Sequence, residues 1–135
     1  GIEYFDSVVG DGGEAFDGDT IKIYFTAHTY DPETGKKVST FDPFVLGSPG
    51  SSIQYGFKLT LGGGATGDII PGWNLGMVGG DGVPPMRKGG ERVIRVPPSL
   101  AYGSEGHLCI RNIKEACAVP PDTPVEIEVV FIDFS

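Results

Sequence analysis

The sequence predicts an α+β fold in which an antiparallel β-sheet wraps around one short α-helix. Three observations carry this. From Thr20 the residues alternate strictly: Ile21, Ile23, Phe25 and Ala27 fall on one face, and Lys22, Tyr24, Thr26 and His28 on the other. That is the period of a half-buried strand. At the other end of the chain, residues 125–134 (VEIEVVFIDF) alternate and then relax into a continuous apolar run, the pattern of a central strand covered on both faces. Between them, residues 67–102 hold the chain's only tryptophan, Trp73, in an apolar segment between Pro71-Gly72 and the glycines Gly76, Gly79 and Gly80. This leaves room for about two helical turns, too few to stand alone in water. Its apolar residues Ile69, Ile70, Trp73, Leu75, Met77 and Val78 therefore need a cover, and the sheet is the available one.

The other elements follow in order. Residues 1–9 form a strand ended by Gly10-Asp11-Gly12-Gly13. The acidic run through Asp19 lacks the alternating ligands and closing glutamate of a calcium loop and reads as a solvated turn. Asp31-Pro32-Glu33-Thr34-Gly35 is a turn, with proline preset for its second position, so the strand from Thr20 and the Lys36-Lys37-Val38 segment make a hairpin. Residues 41–52 are rich in proline, glycine and serine and read as a loop, and residues 53–61 return to strand. Gly62-Gly63-Gly64 breaks the chain, and no Gly-Lys-Ser/Thr follows that would make a phosphate loop. Residues 92–96 are a short strand stopped by Pro97-Pro98, and residues 103–123 are a loop.

At 135 residues, with 39% hydrophobic and 21% charged content, the chain is expected to be a single domain spanning residues 1–135. A formal net charge of -8 argues against nucleic acid and anionic membrane surfaces as partners and favours a monomer with a solvated acidic surface. No apolar run approaches the ~20 residues of a membrane span. Gly1 opens directly on polar and strand-like residues, so the chain is expected to be either cytosolic from birth or a mature form whose targeting peptide is absent.

The usual inventory of reacting groups is nearly empty. Of the two histidines, His28 is expected on the solvent face of its strand, while His107 lies in a glycine-bounded loop, and neither belongs to a metal motif. No Gly-x-Ser-x-Gly elbow exists. Neither a cofactor nor a metal is expected. Cys109 and Cys117 share one loop without the C-x-x-C spacing of a redox enzyme. A disulfide within the loop, worth roughly 2–3 kcal/mol by chain entropy, is one reading, and a pair of inert thiols in a reducing compartment is the other. Aromatic and branched residues gather near turns: Phe25, Phe41, Phe57, Ile70, Trp73, Tyr102 and Val119. Such a set builds either plain core or an apolar pocket.

Three separated motifs, IIPGW at residues 69–73, VPPSLAYG at residues 96–103 and the Val119-Pro120-Pro121 loop, resemble FKBP-type peptidyl-prolyl cis-trans isomerases in order and distance. The similarity runs from about Asp19 to Phe134. The GGDGVPPM insert after the helix and the cysteine pair after Ala101-Tyr102-Gly103 look like the FKBPs of the chloroplast thylakoid lumen, which implies that location.

The resemblance implies the FKBP-like fold and isomerisation of X-Pro bonds in protein segments, with macrolides as possible inhibitors. It places the pocket tryptophan on Trp73 and the backbone donor to the substrate carbonyl on Ile70, with Ile69 beside it. The loop tyrosine falls on Tyr102, the strand aromatic on Phe57 and the last-strand aromatic on Ile127. Ala118 and Val119 precede Pro-Pro, and His107 belongs to the same overhanging loop, with Cys109 and Cys117 as its disulfide. Phe25 stands where the family's HYTG motif has tyrosine, so a hydroxyl is lost. The family's Phe-Asp pair corresponds to Phe41-Asp42 after a shift, or to Val38-Ser39 in direct register, with Phe41-Asp42 favoured. A low-activity module that binds a protein partner through the same pocket or its rim is the alternative.

Overall fold

The computed structural model describes residues 1–41, 57–62, 70–80, 82–109 and 117–135. Among them the elements are β1 (Glu3–Val8), β2 (Thr20–Tyr30), β3 (Lys37–Thr40), β4 (Phe57–Thr60), α1 (Pro71–Val78), β5 (Glu91–Val96), β6 (His107–Cys109), β7 (Cys117–Val119) and β8 (Val125–Phe134), with a 3-10 turn over Pro98–Leu100. Six strands form one sheet in the order β1-β5-β8-β2-β3, with β4 also paired to β2, and β6 and β7 form a separate hairpin. Every pairing is antiparallel. The expected strand over residues 53–61 is thus seen as β4, residues 53–56 lying outside the described residues, as do residues 42–52 of the expected loop. The loop expected over residues 103–123 contains the β6–β7 hairpin, whose two short strands are too brief to give a period.

Alternation sets the core. Ile21, Ile23, Phe25 and Ala27 of β2 are fully buried, and with Ile94, Val96, Ile127, Val129 and Phe131 of the neighbouring strands they close over Trp73 and Met77 of α1. Pro71 occupies the first turn of α1, where its missing N–H costs nothing. Gly79, at φ 92°, ends the helix by donating its N–H to Leu75 O at 3.1 Å. Leu75 and Val78, expected to be covered, are only half-buried, while Ile69 lies outside the described residues. β8 departs from expectation too. Val125, Glu126 and Ile127 are buried in succession, but beyond them the outer residues Glu128, Val130 and Ile132 are only half-buried.

Two helical glycines let α1 lie on β5. A Cβ at Gly72 would stand 2.3 Å from Val96 Cγ1, and one at Gly76 would stand 2.4 Å from Ile94 Cδ1. Gly72→Ala is therefore expected to destabilise the fold by about 1–3 kcal/mol from overpacking, even though alanine favours helix by ~1 kcal/mol. Urea unfolding followed by circular dichroism tests this. Adding Val96→Ala should recover part of the loss, and a neutral or stabilising Gly72→Ala would contradict the close approach.

His28 corrects the sequence expectation. Period two assigns it to the outer face, where it does lie, but its exposure is 3%. Its Nε2 bonds Glu126 Oε2, Arg95 Nε donates to Glu126 Oε1 at 2.8 Å, and the Arg95 guanidinium lies 4.5 Å from the centroid of Tyr30. Periodicity reports a face and not what long neighbours lay over it. Burial pushes the Glu126 carboxyl up, but the hydrogen bonds from Arg95 and His28 outweigh it and hold the group below the usual carboxylate range.

Candidate functional site

The inner face of the sheet, the start of α1 and the β6–β7 hairpin converge on one aromatic cluster. Its floor is Trp73, 1% exposed, with the Phe25 ring edge-on to it at 5.6 Å and 82°. Ile70, Val119 and Ile127 are buried in the same cluster, and Ala118 packs against it partly buried. Its rim is a second aromatic group. Tyr102 and His107 stack at 4.2 Å with planes 20° apart, and Phe41 meets both edge-on, at 5.8 Å and 6.0 Å.

Local structure explains each placement. Trp73 is the third residue of a helix started by Pro71, and its N–H donates to Ile70 O at 3.0 Å. Ile70 is extended at φ -63° and ψ 150°, and among the described residues its own N–H has no acceptor, as befits the first positions of a helix. Tyr102 follows the 3-10 turn, which is tied by Gly103 N–H to Pro98 O at 2.9 Å. His107 and Val119 face each other across β6 and β7, and two residues further along, Cys109 and Cys117 are joined by a disulfide. The disulfide reading of the pair therefore holds, and it clamps the hairpin that carries His107, Ala118 and Val119.

Phe41 N–H donates to Ala27 O at 3.0 Å, turning the chain inward after β3, and Phe41 is 4% exposed. Val38 is 68% exposed, so of the two possible registers it is Phe41 that joins the rim. Asp42 and Ile69 lie outside the described residues. Phe57 opens β4 opposite Ile23, and its side chain is outside the description as well. The remaining expected site residues, Phe25, Ile70, Trp73, Tyr102, Val119, Ile127, Phe41, His107 and Ala118, are brought to this one cluster.

One supporting residue has no signal in the sequence. Arg92, 3% exposed, donates to Asp6 Oδ1 and Oδ2 at 2.7 and 3.1 Å and to the carbonyls of Gly76 and Pro84, each at 2.8 Å. It ties β1, α1 and the following insert into one body. An arginine in a strand alternation reads as solvent-facing, and only the long-range fold reveals its partners.

Among the described residues, the polar groups of the site are the Tyr102 hydroxyl, the His107 ring, the Trp73 indole N–H and the Ile70 N–H, set among apolar side chains. Such a surface can bind and desolvate an extended segment. A sheet wrapped on one short helix, with this cluster between sheet, helix start and hairpin, defines the FKBP class of domain. Residues 12–132 match the family described as FKBP-type peptidyl-prolyl cis-trans isomerase. The chain belongs to that family.

Among its relatives is "Peptidyl-prolyl cis-trans isomerase FKBP13, chloroplastic" of Arabidopsis thaliana, 37% identical over 98% of this chain and 55% of the relative. "Photosynthetic NDH subunit of lumenal location 4, chloroplastic" of the same organism is 34% identical over 98% of this chain and 53% of the relative. The chain thus spans about half the length of these two relatives. Among solved structures, the "Crystal structure of AtFKBP13" aligns with a TM-score of 0.75 and 32% identity, covering all of this chain and 94% of that one.

Proposed function

We propose that the chain is one FKBP-type domain that isomerises X-Pro bonds in protein segments. The observation that carries this reading is the Trp73–Phe25 floor beside the Ile70 N–H, which has no acceptor among the described residues. Rotation about an X-Pro bond is opposed by amide resonance of ~18–20 kcal/mol, and the reaction requires no proton donor or nucleophile. A site that binds the twisted amide better than either planar form suffices. An apolar box removes water from the charge-separated resonance form, and the Ile70 N–H holds the chain beside the proline. A thousandfold acceleration asks ~4 kcal/mol of the pocket, within reach of such contacts.

NMR exchange spectroscopy or a protease-coupled assay on an apolar-Pro peptide tests the reading. Acceleration over background that Tyr102→Ala reduces is the expected result, and no acceleration would overturn it. Because the site is that of a family with FK506-binding members, inhibition by a macrolide is expected in the same assay. The names of the two chloroplast relatives support a chloroplast location, with the thylakoid lumen as the finer proposal. The net charge of -8 supports a monomer that does not bind nucleic acid.

A second reading rests on the relative named as a photosynthetic NDH subunit: the same pocket or rim docks a protein partner with little turnover. Loss of partner binding in Tyr102→Ala from an inactive parent would favour it.

The disulfide gives a further test. Reduction frees the hairpin two residues from His107 and Val119, so weaker peptide affinity and slower turnover are expected, with ~2–3 kcal/mol of stability lost. Maleimide labelling reports the bond. Unchanged rate and affinity after its cleavage would exclude tuning through this loop.

A further inference from the structure

A polar cluster on the outer face of the sheet serves neither the core nor the pocket. Glu126 and Glu128 alternate on β8 and so point the same way, and His28 of β2 stands directly opposite Glu126. One ligand atom of each of the three residues lies within 4.8 Å of the others, and His28 and Glu126 are buried. We propose that His28, Glu126 and Glu128 form a binding site for a divalent transition ion, Zn2+ being the one whose chemistry fits.

The donor set is one imidazole nitrogen and two carboxylate oxygens, which suits zinc with water in a fourth position. Mg2+ and Ca2+ prefer all-oxygen shells. Tetrahedral bonds of ~2.0–2.1 Å place ligand atoms roughly 3.3–3.4 Å apart, so the set closes when the half-buried Glu128 moves in by at most about 1.4 Å and the directly bonded His28 and Glu126 part to admit the ion. The ion would insert between His28 Nε2 and Glu126 Oε2, which bond each other directly in its absence.

The outer shell is already in place. Arg95 Nε donates to Glu126 Oε1 at 2.8 Å and Thr26 Oγ1 donates to Glu128 Oε2 at 3.4 Å, which leaves Glu126 Oε2 and Glu128 Oε1 for the ion. Glu128 Oε1 is paired with Lys37 Nζ at 2.9 Å. The Lys37 side chain is 60% exposed, so its pairing is of the weak surface kind and its ammonium is an exchangeable cation. Zinc replaces Lys37, Arg95 stays on Glu126, and His28 binds through Nε2.

Calorimetric titration of the oxidised chain, in which Cys109 and Cys117 cannot ligate, tests this with Zn2+, Mg2+ and Ca2+ chlorides. One Zn2+ per chain is expected, with no heat from Mg2+ or Ca2+. His28→Ala and Glu128→Gln should each weaken binding at least ~100-fold, since even outer-shell losses cost 10–100-fold. Lys37→Ala should tighten it several-fold, and His107→Ala should leave it unchanged. If His28→Ala fails to fold, Glu128→Gln and the shift of the His28 ring nitrogens on adding Zn2+ carry the test. No binding at millimolar Zn2+, binding indifferent to Glu128→Gln, or no tightening in Lys37→Ala would overturn the proposal.

Discussion

Trp73→Ala is expected to lower unfolding free energy by about 3–5 kcal/mol and to remove most turnover. The ring is 1% exposed, stands edge-on to Phe25 and belongs to the single buried cluster that α1 shares with the sheet. Truncation removes the apolar area that holds an eight-residue helix to its support, and such a helix has little stability of its own. The loss is more than half of the stability of an ordinary domain at the lower end of its ~5–15 kcal/mol range. Because Trp73 is the only tryptophan, unfolding must be followed by circular dichroism and not by indole fluorescence. Trp73→Phe separates the two effects: it keeps an aromatic platform, so a smaller stability loss is expected. At a temperature where both variants are folded, Trp73→Ala should turn over X-Pro peptides at least about tenfold more slowly than Trp73→Phe, a difference of ~1.4 kcal/mol in the transition state. A stability loss under about 1 kcal/mol would contradict the placement of the ring at the base of the core.

What could be read from the sequence divides along the range of the interactions. Period two marked the buried face of β2 correctly because Ile21, Ile23, Phe25 and Ala27 are set by the pleat alone. The glycines and proline around Trp73 bounded α1 because they act on their own backbone. That Phe41 and Tyr102 would meet in one aromatic cluster was legible only through the order of the three motifs, since composition treats them as ordinary core aromatics. His28 went wrong for a related reason: its partner Glu126 comes from β8 and is held in turn by Arg95 of β5, both distant in sequence. The β6–β7 hairpin escaped because three-residue strands carry no measurable period, although the cysteines that staple it stood in plain view. Arg92 was the least legible of all, since every one of its partners is supplied by another element.

Arg92→Leu is expected to destabilise the protein by about 3–5 kcal/mol, an effect as large as losing the core indole. The guanidinium lies at 3% exposure and its partner Asp6 at 18%, so deletion strands a carboxylate with little access to water. It also orphans the carbonyls of Gly76, in the last turn of α1, and of Pro84, in the insert. A cation at that end of the helix further offsets the dipole, which adds to the loss. Lysine should not rescue, because one ammonium cannot serve a bidentate carboxylate and two carbonyls from a planar fork. Adding Asp6→Leu to Arg92→Leu should recover part of the loss by removing the stranded charge, leaving the two carbonyls as the residue of the cost. The deficit should persist in high salt, unlike that of an exposed pair. Amide exchange at Met77 and Met86, whose backbones are joined by a 2.8 Å hydrogen bond from Met86 N–H to Met77 O, should accelerate in Arg92→Leu as the insert detaches from the helix. A loss within 1 kcal/mol, or full rescue by lysine, would show that the insert is held by its apolar contacts and that the guanidinium only fills space.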